Sequence, residues 1–383
     1  MSRLAWRRSI ARAGGILVVG VALVLPTGLR AENCITQSQM TASDRDALTA
    51  AAQSFAAKAQ ANDAAGIKAA TMPEYFDGIA AAIGGTAPKI AGDALSITSL
   101  YILEVSAAPV DPSAASGFVA GDRQFFCSLN NSAADVELTF PVMLPDRYAL
   151  AIVHAQGSNT AWQLSFVLEQ SGGAWKLAGF YSRPAMAAGH DGVWYWAQAR
   201  QFAKQSQNWS AWLYYTEADA LLTPVEFISS TNRDKLHAEQ TAVTPTPLQA
   251  NGISPAHPLN VGGFAFTAIG TQESLDGKSL ELAVHLAATD VSNPTDVRAR
   301  SLQALHALLI TYPELHTTFA GAWVYSDAPG QSPFGIEFNP ISTAIPPEQN
   351  SMTGMLQPVR GMAIFAAFKT PSTALPWIQE PGS

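Results

Sequence analysis

Residues 161–182 read AWQLSFVLEQSGGAWKLAGFYS, and the way this stretch folds decides the architecture of the N-terminal half. Apolar and polar side chains alternate on either side of Ser171-Gly172-Gly173. That is the period of a half-buried strand, and two such runs joined by a glycine turn predict a β-hairpin. Working backwards, YALAIVHAQ (Tyr148 to Gln156), ADVELTFPVML (Ala134 to Leu144), DRQFFCSLN (Asp122 to Asn130) and SITSLYILEVS (Ser96 to Ser106) carry the same signature. Turn signals at Pro145-Asp146 and Gly157-Ser158-Asn159 help to separate them. Before the strands, residues 43–62 repeat Leu48, Ala51, Ala52, Phe55 and Ala59 at helical spacing, with Thr41 or Ser43 as the N-cap. Short helices over 64–71 and 73–83 follow, the second opened by Pro73 and closed by Gly84-Gly85. Helices in one block and strands in the next predict an α+β domain, with a curved antiparallel sheet carrying helices on one face.

Helices first, then a meander ending in the Trp-rich hairpin Trp162 to Phe180, resembles the cone-type fold of the nuclear-transport-factor-2-like superfamily. Its closing strands often read G-x-W-K/R-L/I-x-x-F, and Gly173, Trp175, Lys176, Leu177 and Phe180 carry the likeness, over residues 40–185. The resemblance implies an isomerase, a dehydratase, a ligand carrier or an inert scaffold, so function must be argued from a site. Trp162, Phe166, Trp175 and Tyr181 are the expected ligand contacts of a hollow cone. The first three would equally serve to pack it shut.

Residues 191–223 read as two helices joined at Ser206-Gln207. Ala199/Phe202, Ala211/Tyr215, Ala218 and Pro224 resemble one tetratricopeptide-type hairpin, without the Leu-Gly of its first helix. A single copy must bury its face against another domain. Its aromatics, Trp196 and Trp212 among them, are expected to form that docking core or, alternatively, a carbohydrate-binding surface. A Pro-rich linker over 241–260 leads to a second α+β domain of ββαββ pattern over 261–383. Its elements are a hairpin at Asp276-Gly277, a helix opened by Asn293-Pro294, two strands around Ala328-Pro329-Gly330, and an irregular tail containing GMAIFAAF (Gly361 to Phe368). The expected domains are therefore 32–190, 191–240 and 261–383.

Residues 1–31 combine Arg3, Arg7, Arg8 and Arg12 with the apolar run Gly15 to Leu25, then Pro26 and Ala31. The run is too short to span a bilayer and reads as a cleaved signal peptide, so a periplasmic or extracellular address is expected. The general secretory route is favoured over the twin-arginine one suggested by Arg7-Arg8. Removing this segment takes away five basic residues, leaving 17 basic against 30 acidic and a net charge of −13. Such a chain repels phosphate backbones, which argues against nucleic-acid binding, and no later run is long enough to be a transmembrane helix. The two cysteines, Cys34 and Cys127, are expected to form one structural disulfide, because no CxxC or clustered histidine accompanies them.

The strong catalytic motifs, GxSxG, HExxH, GxGxxG and a complete P-loop, are absent, and the seven histidines are scattered without metal-ligand spacing. No cofactor or metal is therefore expected. One acid/base pair merits a test: Glu104, sharing a strand face with Leu100 and Ile102, and His154, sharing one with Leu150 and Ile152. If both faces lined the cone, an apolar pocket would bring both groups toward neutral pKa for an isomerase or hydrolase. Asp191 reads as a helix cap with His190 beside it, and Asn293 and Asp296 as caps rather than calcium ligands. The expectation that emerges is an exported, non-catalytic binding or envelope-associated scaffold protein, with a small molecule, glycan or envelope protein as partner. The enzyme and the carbohydrate-binding module stand as alternatives.

Overall fold

Strand alternation and helix capping together account for the elements of this computed structural model, which describes residues 32–106, 123–128, 135–140, 143–157, 160–249 and 251–341. The leader over 1–31 and the GMAIFAAF segment lie outside the described residues. A short strand, β1 (Asn33–Thr36), comes first. Helix α1 (Ala42–Gln60) follows, capped by Thr41, whose hydroxyl accepts the Asp44 amide at 3.1 Å. Helix α2 (Ala64–Ala70) is capped by Asp63. A single 3₁₀ turn over Pro73–Tyr75 leads into α3 (Phe76–Thr86). This last helix runs through Gly84 and Gly85 rather than stopping there, because buried Ile79, Ile83 and Thr86 hold its final turns against the sheet.

Strands β2 (Ala94–Glu104), β3 (Arg123–Ser128), β4 (Asp135–Phe140), β5 (Arg147–Gln156), β6 (Ala161–Ser171) and β7 (Ala174–Pro184) follow the predicted segments within a few residues. Their pairing departs from a plain meander. The main sheet has order β1-β2-β5-β6-β7 and is antiparallel throughout. Both edges of β2 are taken, by β1 and β5, so the β3–β4 hairpin does not pair with the strand it follows. It forms a second layer with the short β10 (Ile228–Ser230), in the order β10-β4-β3. Phe125, Leu138 and Phe140 pack that layer onto Leu103, Leu150 and Ile152 of the main sheet. The other face of the main sheet carries α1–α3, through Leu48, Phe55, Ile67 and Ile83 against Ile102, Ala151, Leu164 and Phe166. The Cys34–Cys127 disulfide joins β1 to β3 across the layers, with the Glu32–Arg123 ion pair at 2.8 Å beside it.

A tight turn between the two-residue strands β8 (Met186–Ala187) and β9 (His190–Asp191) delivers the chain to α4 (Gly192–Lys204). Asp191 caps α4 by accepting the Trp194 amide at 2.8 Å. Helix α5 (Asn208–Leu222) completes the expected hairpin, and a third helix, α6 (Thr231–Ala242), follows it. β11 (Leu259–Val261), β12 (Phe264–Glu273) and β13 (Leu280–Ala287) precede α7 (Pro294–Thr311), capped by Asn293, and the short α8 (Glu314–Thr318). β14 (Ala322–Asp327) and β15 (Phe334–Phe338) complete a sheet of order β11-β12-β13-β14-β15, in which β13 and β14 run parallel. Helices α4 and α5 share one apolar core with this sheet and α7. Tyr195, Leu213, Tyr215 and Leu221 lie in the same cluster as Phe266, Val284, Leu305 and Phe338. The chain is thus an α+β protein built on several largely antiparallel sheets, and among the described residues no helix is long and apolar enough to cross a membrane.

Candidate functional site

The two layers of the N-terminal half and the helices α4–α6 meet at a cleft of about 330 Å³. A bulge between Ile97 and Ser99 turns the Thr98 hydroxyl onto the Ile152 carbonyl, and Thr98, Ser99 and Tyr101 form one wall. Ile228, Ser229 and Ser230 of β10 form a second, and Trp196, Asp219, Asn232, Arg233 and Leu236 of the helices a third. The buried Gln163 amide donates to the Leu221 carbonyl at 2.6 Å, pinning the end of α5 to the main sheet. Ser230 caps α6 by accepting the Arg233 amide.

Asp219 is the electrostatic centre of this cleft. Burial alone would raise its carboxyl pKa, but a two-point contact from Arg233 (2.8 and 3.2 Å) and the His237 imidazole at 2.9 Å hold it below the ordinary aspartate value. Tyr101 is pushed the other way by burial, so its phenol keeps its proton. Trp196 donates its indole N–H to Glu239 at 2.8 Å and carries the Arg200 guanidinium 4.4 Å above its ring. These side chains offer fixed charge, hydroxyls and an aromatic edge, with the Asp219 carboxyl shifted down and the Tyr101 phenol shifted up.

The acid/base pair read from the sequence is not assembled. In the register of β2 with β5, Glu104 lies opposite Arg147 and His154 opposite Ser96, at the two ends of the strand pair. Seven residues of β5 separate these positions, roughly 24 Å at strand rise. The faces differ as well. Leu100 and Ile102 point to α1–α3, whereas Leu150 and Ile152 point to the second layer. Glu104 instead accepts from Asn33 and pairs with Arg147. His154, lowered in pKa by burial against an opposing hydrogen bond from Gln163, lines a separate, open depression with Met186, His190, Asp191 and Trp194. There His190 stacks on Trp194 at 3.7 Å, and Asp191 is committed to its cap.

The aromatics expected to bind ligand are dispersed. Phe166 is fully buried between Phe55 and Phe180, at centroid distances of 6.3 and 5.3 Å, so the helix side of the sheet is filled at that point. Trp162 sits at the rim of that core beneath Lys89, and Trp175 lies near Arg147. Tyr181 faces the second layer against Phe227, its hydroxyl buried and its pKa raised by that burial. Trp212 packs against the shared C-terminal core. Trp196 is the one member of the set that lines the cleft. Asp219, Arg233 and Tyr101 escaped the sequence reading. The run SSTNRD (Ser229 to Asp234) did carry a helix-start signal that marked α6 and, with it, Arg233.

No protein-family model matches the chain, and neither the curated proteins nor the solved structures contain a match. Among the described residues no group of three or more His, Cys, Asp and Glu side chains is arranged to hold a metal ion.

Proposed function

We infer that this chain is an exported binding protein whose three-walled cleft holds a small polar molecule with an apolar ring face, a mono- or disaccharide being the best chemical fit. The observation that carries the reading is the lining. Ile152, Ile228 and Leu236 supply apolar surface, Thr98, Ser99, Ser229 and Asn232 supply hydrogen-bonding groups, and Trp196 and Tyr101 supply aromatic surface around a carboxylate fixed by Arg233. That mixture in a cavity of a few hundred Å³ is what small-ligand sites share. An Asp219 held ionised and a Tyr101 held neutral favour recognition over proton transfer.

The wider reading is consistent with this. Three helices on one face of an antiparallel five-stranded sheet support the cone-type scaffold of the nuclear-transport-factor-2-like superfamily for residues 32–190, and the α4–α5 pair supports the tetratricopeptide-like hairpin. On this reading the cone is a support and the ligand sits outside it. The disulfide favours an oxidising compartment such as the periplasm.

Titrating the protein with a panel of mono- and disaccharides while following tryptophan fluorescence and native mass should give a saturable shift and a matching one-to-one adduct. Asp219→Asn should weaken that binding by about tenfold, because it leaves Arg233 without its counter-charge and misplaces it. A silent panel, or a signal unchanged in both Asp219→Asn and Trp196→Phe, would remove the cleft as the site.

A further inference from the structure

A second cavity, of about 200 Å³, opens on the same sheet, further along β5 and β6 and with a lining of its own. Its position follows from the β6–β7 bulge between Val167 and Leu168, which leaves Ala178 out of register. The Thr71–Met72 backbone docks there, the Met72 amide donating to the Leu177 carbonyl at 2.9 Å. The Pro73–Tyr75 turn is thereby laid over the end of the sheet. Beneath it, Tyr148 and Glu169 face each other directly across β5 and β6, and Val167 and Ala178 form an apolar floor.

We propose that this cavity binds a small organic ammonium ion, with Tyr75 and Tyr148 as aromatic walls and Glu74 and Glu169 as counter-charges. The cavity carries two carboxylates, Glu74 and Glu169, and among the described residues no ion pair neutralises either of them. The nearby Asp146 carboxylate accepts the Arg147 backbone amide rather than a cationic side chain. Lys176 is the register partner of Glu169 but forms no ion pair with it. Strand alternation sends the Arg147 side chain to the opposite face, toward Asp44.

The electrostatics of the surrounding groups agree. Glu169 is raised by burial and then by the charges of Asp146 and Glu74. Tyr75 is raised to about 12 by burial and then by Glu74 and Glu169. Tyr148 moves up for the same kinds of reason, with Glu169 the leading charge. A bound cation reverses every one of these charge contributions. The apolar floor and two neutral phenol rings suit an alkylammonium group, which gains from ring faces and needs no tight oxygen shell. A hard metal ion would need several oxygens at bonding distance. The site is independent of the saccharide cleft and stands or falls separately.

Calorimetric titration of the whole protein with choline, beside its neutral carbon isostere 3,3-dimethyl-1-butanol, tests the proposal. Choline should bind saturably and at least about tenfold more tightly than the isostere, and Glu169→Gln and Glu74→Gln should each cost about tenfold. Relief of like-charge repulsion should leave the melting temperature of Glu169→Gln no lower than that of the parent. Equal binding of choline and its isostere, or choline affinity unchanged in both variants, would overturn the proposal. The isostere comparison uses the unmodified chain and holds even where a variant fails to fold. Sedimentation with phosphatidylcholine vesicles distinguishes a lipid headgroup, which carries the protein down, from the free cation, which leaves it in solution.

Discussion

Glu281 sits in surroundings at odds with its charge. It is fully buried on β13, its carboxyl lies against the Gly321 backbone, and Asn339 donates to one oxygen at 2.9 Å. Burial, then the charge and shared hydrogen bond of Glu337, and then the charge of Asp276 raise its pKa from 4.5 to about 7, against the opposing pull of Asn339. The sign follows directly. Between these values the folded state holds a proton that the unfolded state has lost, so stability is full below 4.5 and falls as pH rises through about 7. The slope is at most about 1.4 kcal/mol per pH unit for one proton. Thermal unfolding across this range should show the melting temperature dropping with pH, and Glu281→Gln should flatten the drop. A parent protein with no such slope, or a variant that keeps it, would contradict the assignment. Asp219 is the counterpart. It is partly buried, but Arg233 and His237 win over burial and hold it charged.

Elements pair here according to which edges are open. Alternation alone predicts β3 and β4 well, yet it does not tell a strand which sheet it will join. With both edges of β2 occupied, the hairpin stacks on the sheet, and the disulfide crosses between layers whose backbones meet at the isolated Glu32–Phe125 bridge. The bridge closes a loop over a sequence separation of 93 residues, so its loss should cost about 4 to 5 kcal/mol through the added freedom of the unfolded chain. Urea unfolding of the double variant Cys34→Ser/Cys127→Ser should show that loss as a lower midpoint. An unchanged midpoint would mean that the apolar contacts of Phe125, Leu138 and Phe140 hold the layer by themselves. The close approach of α4 and α5 follows similar logic: a Cβ on Gly192 would stand 2.6 Å from Leu222 and 3.0 Å from the Ala218 carbonyl, so only glycine allows that crossing.

At the scale of the whole molecule, the α4–α5 pair is tied to both halves. Gln163 reaches the Leu221 carbonyl from the N-terminal sheet. On the other side, Trp209 and Tyr214 pack on Tyr312 and Phe319 at 5.1 and 6.0 Å, and Ser210 shares a hydrogen bond with Thr318. A chain ended after residue 260 would leave the apolar faces of both helices uncovered. It should bind a hydrophobic dye strongly or precipitate, whereas the intact protein should do neither. A soluble, dye-silent fragment would show that the N-terminal half suffices to bury them.

The sequence by itself determined what depends on neighbours along the chain. The strands of the N-terminal sheet follow from period-2 alternation, the starts of α4 and α7 from Asp191 and Asn293, the start of α1 from a choice between Thr41 and Ser43 that the structure settled for Thr41, and the Cys34–Cys127 bond from a count of two cysteines. Only tertiary structure decided which faces and ends of those strands meet. The face a side chain takes on one strand fixes nothing about its neighbour until the register is known, which is why Glu104 and His154, both correctly placed on strands, ended up apart. Short elements such as β1, β10 and α8 were invisible for the same reason, because their stability comes from the partner they pair with and not from their own few residues. The two candidate sites, made where three walls converge and where a turn lies over a bulge, exist only once those long-range contacts have formed.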